Sequence, residues 1–527
     1  MSNRYYRKFG DRDSEIKGMV GVGEVKPMSA RIWMRSEKPG EQAIQVWPSG
    51  SPKRMQTAKV TIPDRGNDNT YSVLFPNDFP GLAPLQPLRR YCYRVISKPN
   101  NTLVGEGRFE TSPGRPEDTP AHFSIAVMSC HQPFDETSGK LSEPSMRMLK
   151  LTKAELAKHN AKLIIVCGDQ IYSDHPKRRS LLDQHYTSSK LPYGPQHILK
   201  WPAATVRKAY QQRYRQFFWM REVKDFYANY PCYPILDDHE IIDDWGSKKI
   251  HTTPSGGVDY TNLRTGSMKA YIDYQALRVI APTNLIPKSF QYSFEYGNVG
   301  VFVMDLRSQR SVKPRRLYGL EQLQALRKYL ANNTDKHLIL IVVSVPVIHL
   351  PGWLTDIGAS VLGAQVDFAD HWSYGPNRSA RNRFLRVIYT HQKAHPQQRV
   401  VMVSGDVHIG CAFSIKWSGK GGPTLYQFTS SAISNKMKKL MVQASLVGPK
   451  LFSLSSTINV KGGVPKAKVK LLQAGKGAHK ENPFGGLNLG IIDVERQGAK
   501  SKIALKLIGY EERDHSKGVE MFTSKIL

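Results

Sequence analysis

LIIVCGDQIY (Leu163 to Tyr172) is a short apolar run, rich in β-branched residues, that ends in Asp169 and Tyr172. Its length and composition are those of a buried strand, so the polar tail falls on the loop leaving the strand's carboxyl end. Four further runs share this form: SIAVMSCH (Ser124 to His131), PILDDHE (Pro234 to Glu240), VFVMDLR (Val301 to Arg307) and VVMVSGDVH (Val400 to His408). Carboxyl ends of strands are where α/β proteins assemble their sites. Tails converging from separate strands bring Cys, Asp, Tyr and His together, a donor set suited to a multinuclear metal site.

Around these runs the pattern predicts strands alternating with helices over 121–515, a layered α/β domain. Helices are predicted over Ser142 to Asn160, Thr205 to Asn229, Leu320 to Asn332 and Asn382 to His395, each preceding an apolar run, for the third the run ending near Ile348. Residues 18–111 read differently. Short alternating segments such as ARIWMR (Ala30 to Arg35) are separated by Pro, Gly and Asn turns, which predicts a small β-sandwich. TSPGRPEDTP (Thr111 to Pro120) supplies a linker over 112–120, and residues 1–17 and 516–527 read as tails. The block 436–480 holds ten lysines and no acidic residue. It reads as an inserted, solvated and mobile surface loop, or as a lid or rim that captures phosphate-bearing substrate.

The 527 residues suffice for two or three domains. With 75 Lys and Arg against 44 Asp and Glu, the formal charge of +31 draws polyanions, nucleic acid among them. Met1 to Gly10 is polar and basic, with no apolar core of about 7 to 15 residues after it, so no secretory signal is read. The longest apolar run, Leu338 to Ile348, is far short of the roughly 20 residues of a membrane span. Five cysteines, two of them inside the proposed site loops, fit a reduced setting, and a cytoplasmic location is expected.

Hydrolysis of a phosphoester needs a nucleophile from water, neutralisation of phosphoryl charge and a proton for the leaving oxygen. Two metal ions bridged by a carboxylate meet the first two demands. Asp169 is the bridging candidate because Gly168 lets backbone and metals approach closely, and Tyr172 is placed to bind a hard ion as phenolate. Asp238 offers an oxygen ligand, and His239 is placed to protonate the leaving group or stabilise its charge. Taken alone, DDHE is also an ordinary helix cap. Asp406 and His408, two apart in extended chain, point to one side.

The order and content of these motifs resemble the PhoD-like alkaline phosphatases and phosphodiesterases of the calcineurin-like metallophosphoesterase superfamily. Ser129 and Cys130, Gly168 and Asp169 with Tyr172, Asp237 to Glu240, Asp305 with Arg307, Gly405 and Asp406 with His408, and FTSSAISN (Phe428 to Asn435) carry the resemblance. It covers roughly Gly18 to Tyr510. The resemblance implies a metallophosphoesterase-type αββα sandwich core preceded by an Ig/fibronectin-like β-sandwich. It implies a ferric iron site at Cys130, Asp169, Tyr172 and His408. A second site, for calcium or else Mn, Mg or Zn, would be made by Asp169, Asp238 and Asp406. Arg307 would contact phosphate, although an Arg after a strand is equally an ion-pair partner. In DHWSYGPNR (Asp370 to Arg378), Tyr374 and Gly375 stand swapped relative to the family pattern, and Tyr374 and Arg378 are the remaining substrate candidates.

The expected function is therefore a metal-dependent hydrolase of phosphodiesters or phosphomonoesters acting through a metal-activated hydroxide, with Asp169, His239 and Arg307 in catalytic roles. A non-catalytic binder of nucleic acid or another polyanion on the same scaffold is a second reading. A hydrolase of pyrophosphate, nucleotides or polyphosphate is a third. The intact ligand set favours an enzyme.

Overall fold

The structure, a computed structural model, describes residues 16–99, 101–283, 285–361, 367–419, 421–476, 479–498, 500–510 and 517–527. Most of the tail expected over 1–17 lies outside the described residues. Ile16, which is described, is buried, and its carbonyl accepts from Arg35 Nη1.

The strands between Met19 and Glu110 build two antiparallel sheets. Met19–Val25, Ala30–Arg35 and Thr70–Phe75 form one; Gln56–Ile62, Gly40–Pro48, Arg90–Ser97 and Thr102–Glu110, in that spatial order, form the other. Alternation along each strand sends Val22, Ile32, Ile44, Val46, Val73, Tyr93 and Val95 into one shared apolar core.

This unit is seated on the rest of the chain by Arg278. Its guanidinium lies 3.8 Å from the ring centre of Tyr227 and 4.8 Å from that of Trp33. Burial lowers its pKa, and the desolvated charge is held by aromatic faces, an interaction of about 2 kcal/mol or more when water is excluded. Trp33 Nε1 donates to the carbonyl of Asp273 (2.8 Å) and Tyr93 Oη to that of Ala228 (3.0 Å). Gly23 runs so close beneath that an added Cβ would lie 1.8 Å from the Arg278 carbonyl oxygen.

The larger part of the chain contains two mixed sheets. In the six-stranded sheet, Cys232–Ile235, Ala161–Cys167 and His122–Met128 are parallel neighbours, continued antiparallel by Leu489–Gln497, Lys500–Gly509 and Val519–Thr523. The eight-stranded sheet has a parallel centre of Val299–Val303, Leu338–Val342, Arg399–Ser404 and Thr424–Thr429. Side chains alternate across it. Val301, Val303, Leu340, Val342, Val401 and Val403 join Ile125, Val127 and Ile165 of the six-stranded sheet in one core. Phe302, Ile339, Ile341, Val400 and Met402 face the other way, onto Leu323, Leu326, Leu330, Phe384, Leu385 and Ile388 of the helices Leu320–Asn332 and Arg378–Ala394. The near-continuous apolar reading of these strands follows from burial on both faces.

Three expectations are corrected. The single helix predicted over Thr205 to Asn229 is two, Ala203–Phe218 and Arg221–Asn229, divided where Met220 takes extended backbone. The C-terminal tail over 516–527 includes a strand, because Val519–Thr523 completes a sheet edge. The lysine block is not a loop throughout: it forms the helix Lys439–Ser455 and a strand, Ala467–Leu471, whose Ala467 and Val469 face the core while Lys468 and Lys470 face out. The 112–120 segment touches the rest of the chain through Thr119, whose Oγ1 accepts from Asn298 N (2.8 Å).

Gly23→Ala is expected to destabilise by about 2 to 4 kcal/mol, because backbone on both sides must part. A thermal unfolding midpoint equal to that of the wild type would contradict this seating.

Candidate metal centre

All the parallel strands of the two sheets deliver their carboxyl ends to one edge, and the polar tails meet there. Cys130 follows His122–Met128, Asp169 follows Ala161–Cys167, Asp237 to Glu240 follow Cys232–Ile235, and Asp406 and His408 follow Arg399–Ser404. Cys130, Asp169, Asp406 and His408 each hold left-handed backbone, at φ of 57°, 56°, 70° and 54°. Such conformations cost on the order of 1–3 kcal/mol each in non-glycine residues and persist only where surroundings enforce them. Gly168, at φ of 86°, sits against Asp237, where a Cβ would come within 2.4 Å of the Asp237 Cβ.

Glu240 enforces much of this. Its carboxylate accepts from the backbone N–H of Asp169 (2.9 Å), Gln170 (2.6 Å) and Asp237 (2.8 Å) and from Gln275 Nε2 (2.9 Å). Burial pushes its pKa up to about 7 against those donors. Ser431 does the same on the opposite wall: its hydroxyl accepts from His408 N (3.1 Å) and donates to Cys130 Sγ (3.1 Å).

Asp169 belongs to three groups of candidate ligands, one of them with Asp238 and His239, and the other two differ in chemistry. Ligand atoms of Cys130, Asp169 and His408 lie within 4.8 Å of one another, as do those of Asp169, Asp237, Asp238 and Asp406. Tyr172 Oη donates to Asp169 Oδ2 (3.3 Å) and lies 3.1 Å from His408 Nε2. The centre is short of positive charge. Burial, then neighbouring Cys130 and the acidic groups of Asp238, Asp237 and Glu240, raises Asp169 well above the carboxylate range; burial with Asp237, Asp238 and Asp370 does the same to Asp406. Asp237 rises to about 6 through burial, partly offset by Arg307, and burial drives the Cys130 thiol up to about 11. Asp169 Oδ1 and Asp237 Oδ2 are buried oxygens with no hydrogen-bond partner. Unshared lone pairs beside crowded acids fit bound cations, whose charge deprotonates such ligands. His408, lowered to about 3 by burial, is a neutral imidazole, the form that ligates metal.

His239 has the opposite electrostatics. Burial alone would lower it, but the carboxylates of Asp174 and Asp238 outweigh burial and hold it well above its ordinary value. Its Nδ1 is 2.7 Å from Asp174 Oδ1, and Asp174 Oδ2 accepts from Asp243 N at 3.1 Å. Its ring centre is 4.0 Å from that of Tyr172.

The phosphate-contact reading of Arg307 is corrected in favour of its ion-pair alternative. The side chain is fully buried, its Nε donates to Asp237, and its Nη1 and Nη2 donate to Asp370 Oδ1 (2.8 Å) and Oδ2 (2.9 Å). Its donors are spent on these carboxylates and, from Nη1, on the Trp245 carbonyl (3.4 Å). Tyr374 stacks under the Arg315 guanidinium at 5.4 Å, and Arg378 pairs with Asp356 and donates to the Ser373 carbonyl, so both are held by partners outside the acidic cluster.

Sequence reasoning passed over Asp174, the clamping role of Glu240, and Asp237 as a member of the carboxylate group. Asp174 lay five residues beyond Asp169 in an unremarkable loop. Glu240 and Asp237 stood inside the recognised run DDHE, where only position in three dimensions separates ligand from support.

A family model described as PhoD-like phosphatase matches residues 125–459. Among solved structures, the structure of PhoD is similar at 15% identity and a TM-score of 0.63, covering 100% of this chain and 94% of that one, which speaks to the fold. A β-glucuronidase of Bacteroides uniformis matches at 8% identity over 75% of this chain and 41% of that one, and its TM-score of 0.24 carries no argument. No curated protein matches the chain. The family match spans more than half of the 527 residues and contains every strand end that builds this centre: the chain belongs to the PhoD-like phosphatase family.

Proposed function

We propose that this chain hydrolyses phosphodiesters, phosphomonoesters or both at the centre built on Asp169. The observation that carries the reading is one buried carboxylate shared by two donor groups of different chemistry. Thiol, imidazole and phenol beside Asp169 suit a transition ion, and Cys130, Asp169, Tyr172 and His408 would hold ferric iron. Asp238 and Asp406 with Asp169, joined by Asp237, suit a hard divalent ion such as calcium. When bound, the two ions supply the Lewis acidity that neutralises phosphoryl charge and acidifies water.

The chain's own residues supply the rest. His239 holds its proton because of Asp174 and Asp238, so its imidazolium gives a proton to the departing oxygen. Asp174 fixes the ring through Nδ1, and Nε2, which lies 3.9 Å from Asp243 Oδ1, is the atom that would give the proton. Arg307 supports the site by holding Asp237 and Asp370 in place, which keeps the carboxylate group from repelling itself apart. The two-sheet unit before residue 111 is best read as an Ig/fibronectin-like domain that braces the six-stranded sheet through Arg278.

Purified protein is expected to turn over paired chromogenic monoester and diester substrates, and to stop when metals are stripped. Asp169→Ala should lose activity by on the order of a thousandfold, at or above the 10²–10³ typical of removing one charge-stabilising group. Turnover that survives both treatments would contradict the proposal.

The acid form of His239 is the working form, and its folded pKa is raised. Activity is therefore complete below that pKa and falls as pH rises through it. Asp174→Asn removes the carboxylate that raises it, so the alkaline limb of the rate profile should move to lower pH. A limb that stays in place would show that another group sets it.

A further inference from the structure

Twelve large apolar side chains stand exposed among the described residues, and five of them lie on two helices, Gly352–Val361 and Lys439–Ser455. Trp353 (55% exposed) and Ile357 (54%) are one turn apart on the first. Met441 (56%), Val447 (49%) and Leu454 (81%) are on the second. The other seven are scattered singly, as is ordinary on soluble surfaces. The helices are neighbours: an added Cβ at Gly448 would meet Leu350 Cδ2 at 2.1 Å, two residues before the first helix begins.

The exposed stripe of the second helix follows helical spacing. Lys439, Gln443, Val447, Lys450 and Leu454 recur at intervals of three or four and are all exposed, while Gly448, Pro449 and Phe452 are buried on the opposite side. Phe452 belongs to the core of the eight-stranded sheet. Cations and hydrocarbon thus alternate along one solvent face. Ten lysines without an acidic residue between 436 and 480 extend the positive field, with Lys468 and Lys470 pointing outward from the adjoining strand. No helix among the described residues is long and apolar enough to cross a membrane.

We propose that these two helices form a docking face for the surface of an anionic lipid bilayer. Aliphatic side chains flanked by lysines are the pattern of helices that lie in a membrane interface, where hydrocarbon contact and attraction to acidic headgroups add. Charge complementarity selects an anionic bilayer over a neutral one. The aliphatic majority selects lipid over nucleic acid: Ile357, Met441, Val447 and Leu454 offer neither a hydrogen bond to phosphate nor a ring to stack on a base, and Trp353 is the one aromatic side chain among the five. The face adjoins the catalytic edge: Asn435, whose Nδ2 is 3.3 Å from His408 Nε2, precedes the helix start at Lys439 by four residues. Docking holds whether or not the bilayer itself is the substrate.

The test is co-sedimentation of the full chain with vesicles of mixed phosphatidylglycerol and phosphatidylcholine, with vesicles of phosphatidylcholine alone, and in competition with duplex DNA. Binding is expected to the phosphatidylglycerol vesicles, to weaken in high salt, and to fall about tenfold or more in Val447→Ser with Leu454→Ser. Lys439→Glu with Lys450→Glu should lose binding comparably. All four positions are exposed, so both variants should melt as the wild type does, and this is read independently of any turnover. Absence of vesicle binding, binding indifferent to the apolar pair, equal binding to phosphatidylcholine alone, or displacement of the vesicles by DNA would each overturn the proposal.

Discussion

A thiol, a phenol and the carboxylates of Asp169, Asp237 and Asp238 are buried at one edge of two packed sheets, with the half-buried Asp406 beside them, and among the described residues Arg307 is the arginine that pairs within this cluster. Arg307 reaches Asp237 and Asp370 but leaves Asp169 and Asp406 without a cation in contact. Bringing like charges together inside a protein is strongly unfavourable unless they are paired or ligate metal. The surrounding structure is arranged to hold the donors in place despite that repulsion. Left-handed backbone at Cys130, Asp169, Asp406 and His408 turns each side chain inward. Glu240 ties three site amides to one carboxylate, and Ser431 ties the cysteine loop to the histidine loop. Cation binding is then the step that relieves a charge excess the fold has already built.

The same edge divides labour by electrostatics. His239 is buried and His408 half-buried, yet desolvation dominates the more exposed His408 and carboxylates dominate His239. One imidazole is left neutral and able to ligate, the other charged and able to give a proton. Asp174 makes the difference, and it does so from outside the donor groups that share Asp169.

Much of this was legible in the chain. Strands buried on both faces write themselves as continuous apolar runs, so the residues just past each run, Cys130, Asp169, Asp238, Asp406 and His408, could be assigned to one edge before any coordinates. The helix Leu320–Asn332 was readable to the residue from its periodicity. What escaped depended on partners remote in sequence. Arg307 looks like a phosphate contact until Asp370, 63 positions away, is seen to occupy its fork. The lysine block looks like a loop because charge signals solvent, yet Val469 and Phe452 bury enough apolar surface to order a helix and a strand beneath the lysines. Asp174 and Glu240 act by supporting other residues, and local pattern carries no mark of that.

If the acidic cluster is built to hold metal, counting metal by elemental mass spectrometry in the purified, folded chain and in Asp169→Asn will show it. About two ions per chain are predicted in the wild type, as a bridged pair requires. Fewer than about one should remain in the variant, because the shared ligand is gone from both groups. A folded wild-type chain that hydrolyses phosphoesters without metal, or a variant that keeps its full complement, would contradict the account.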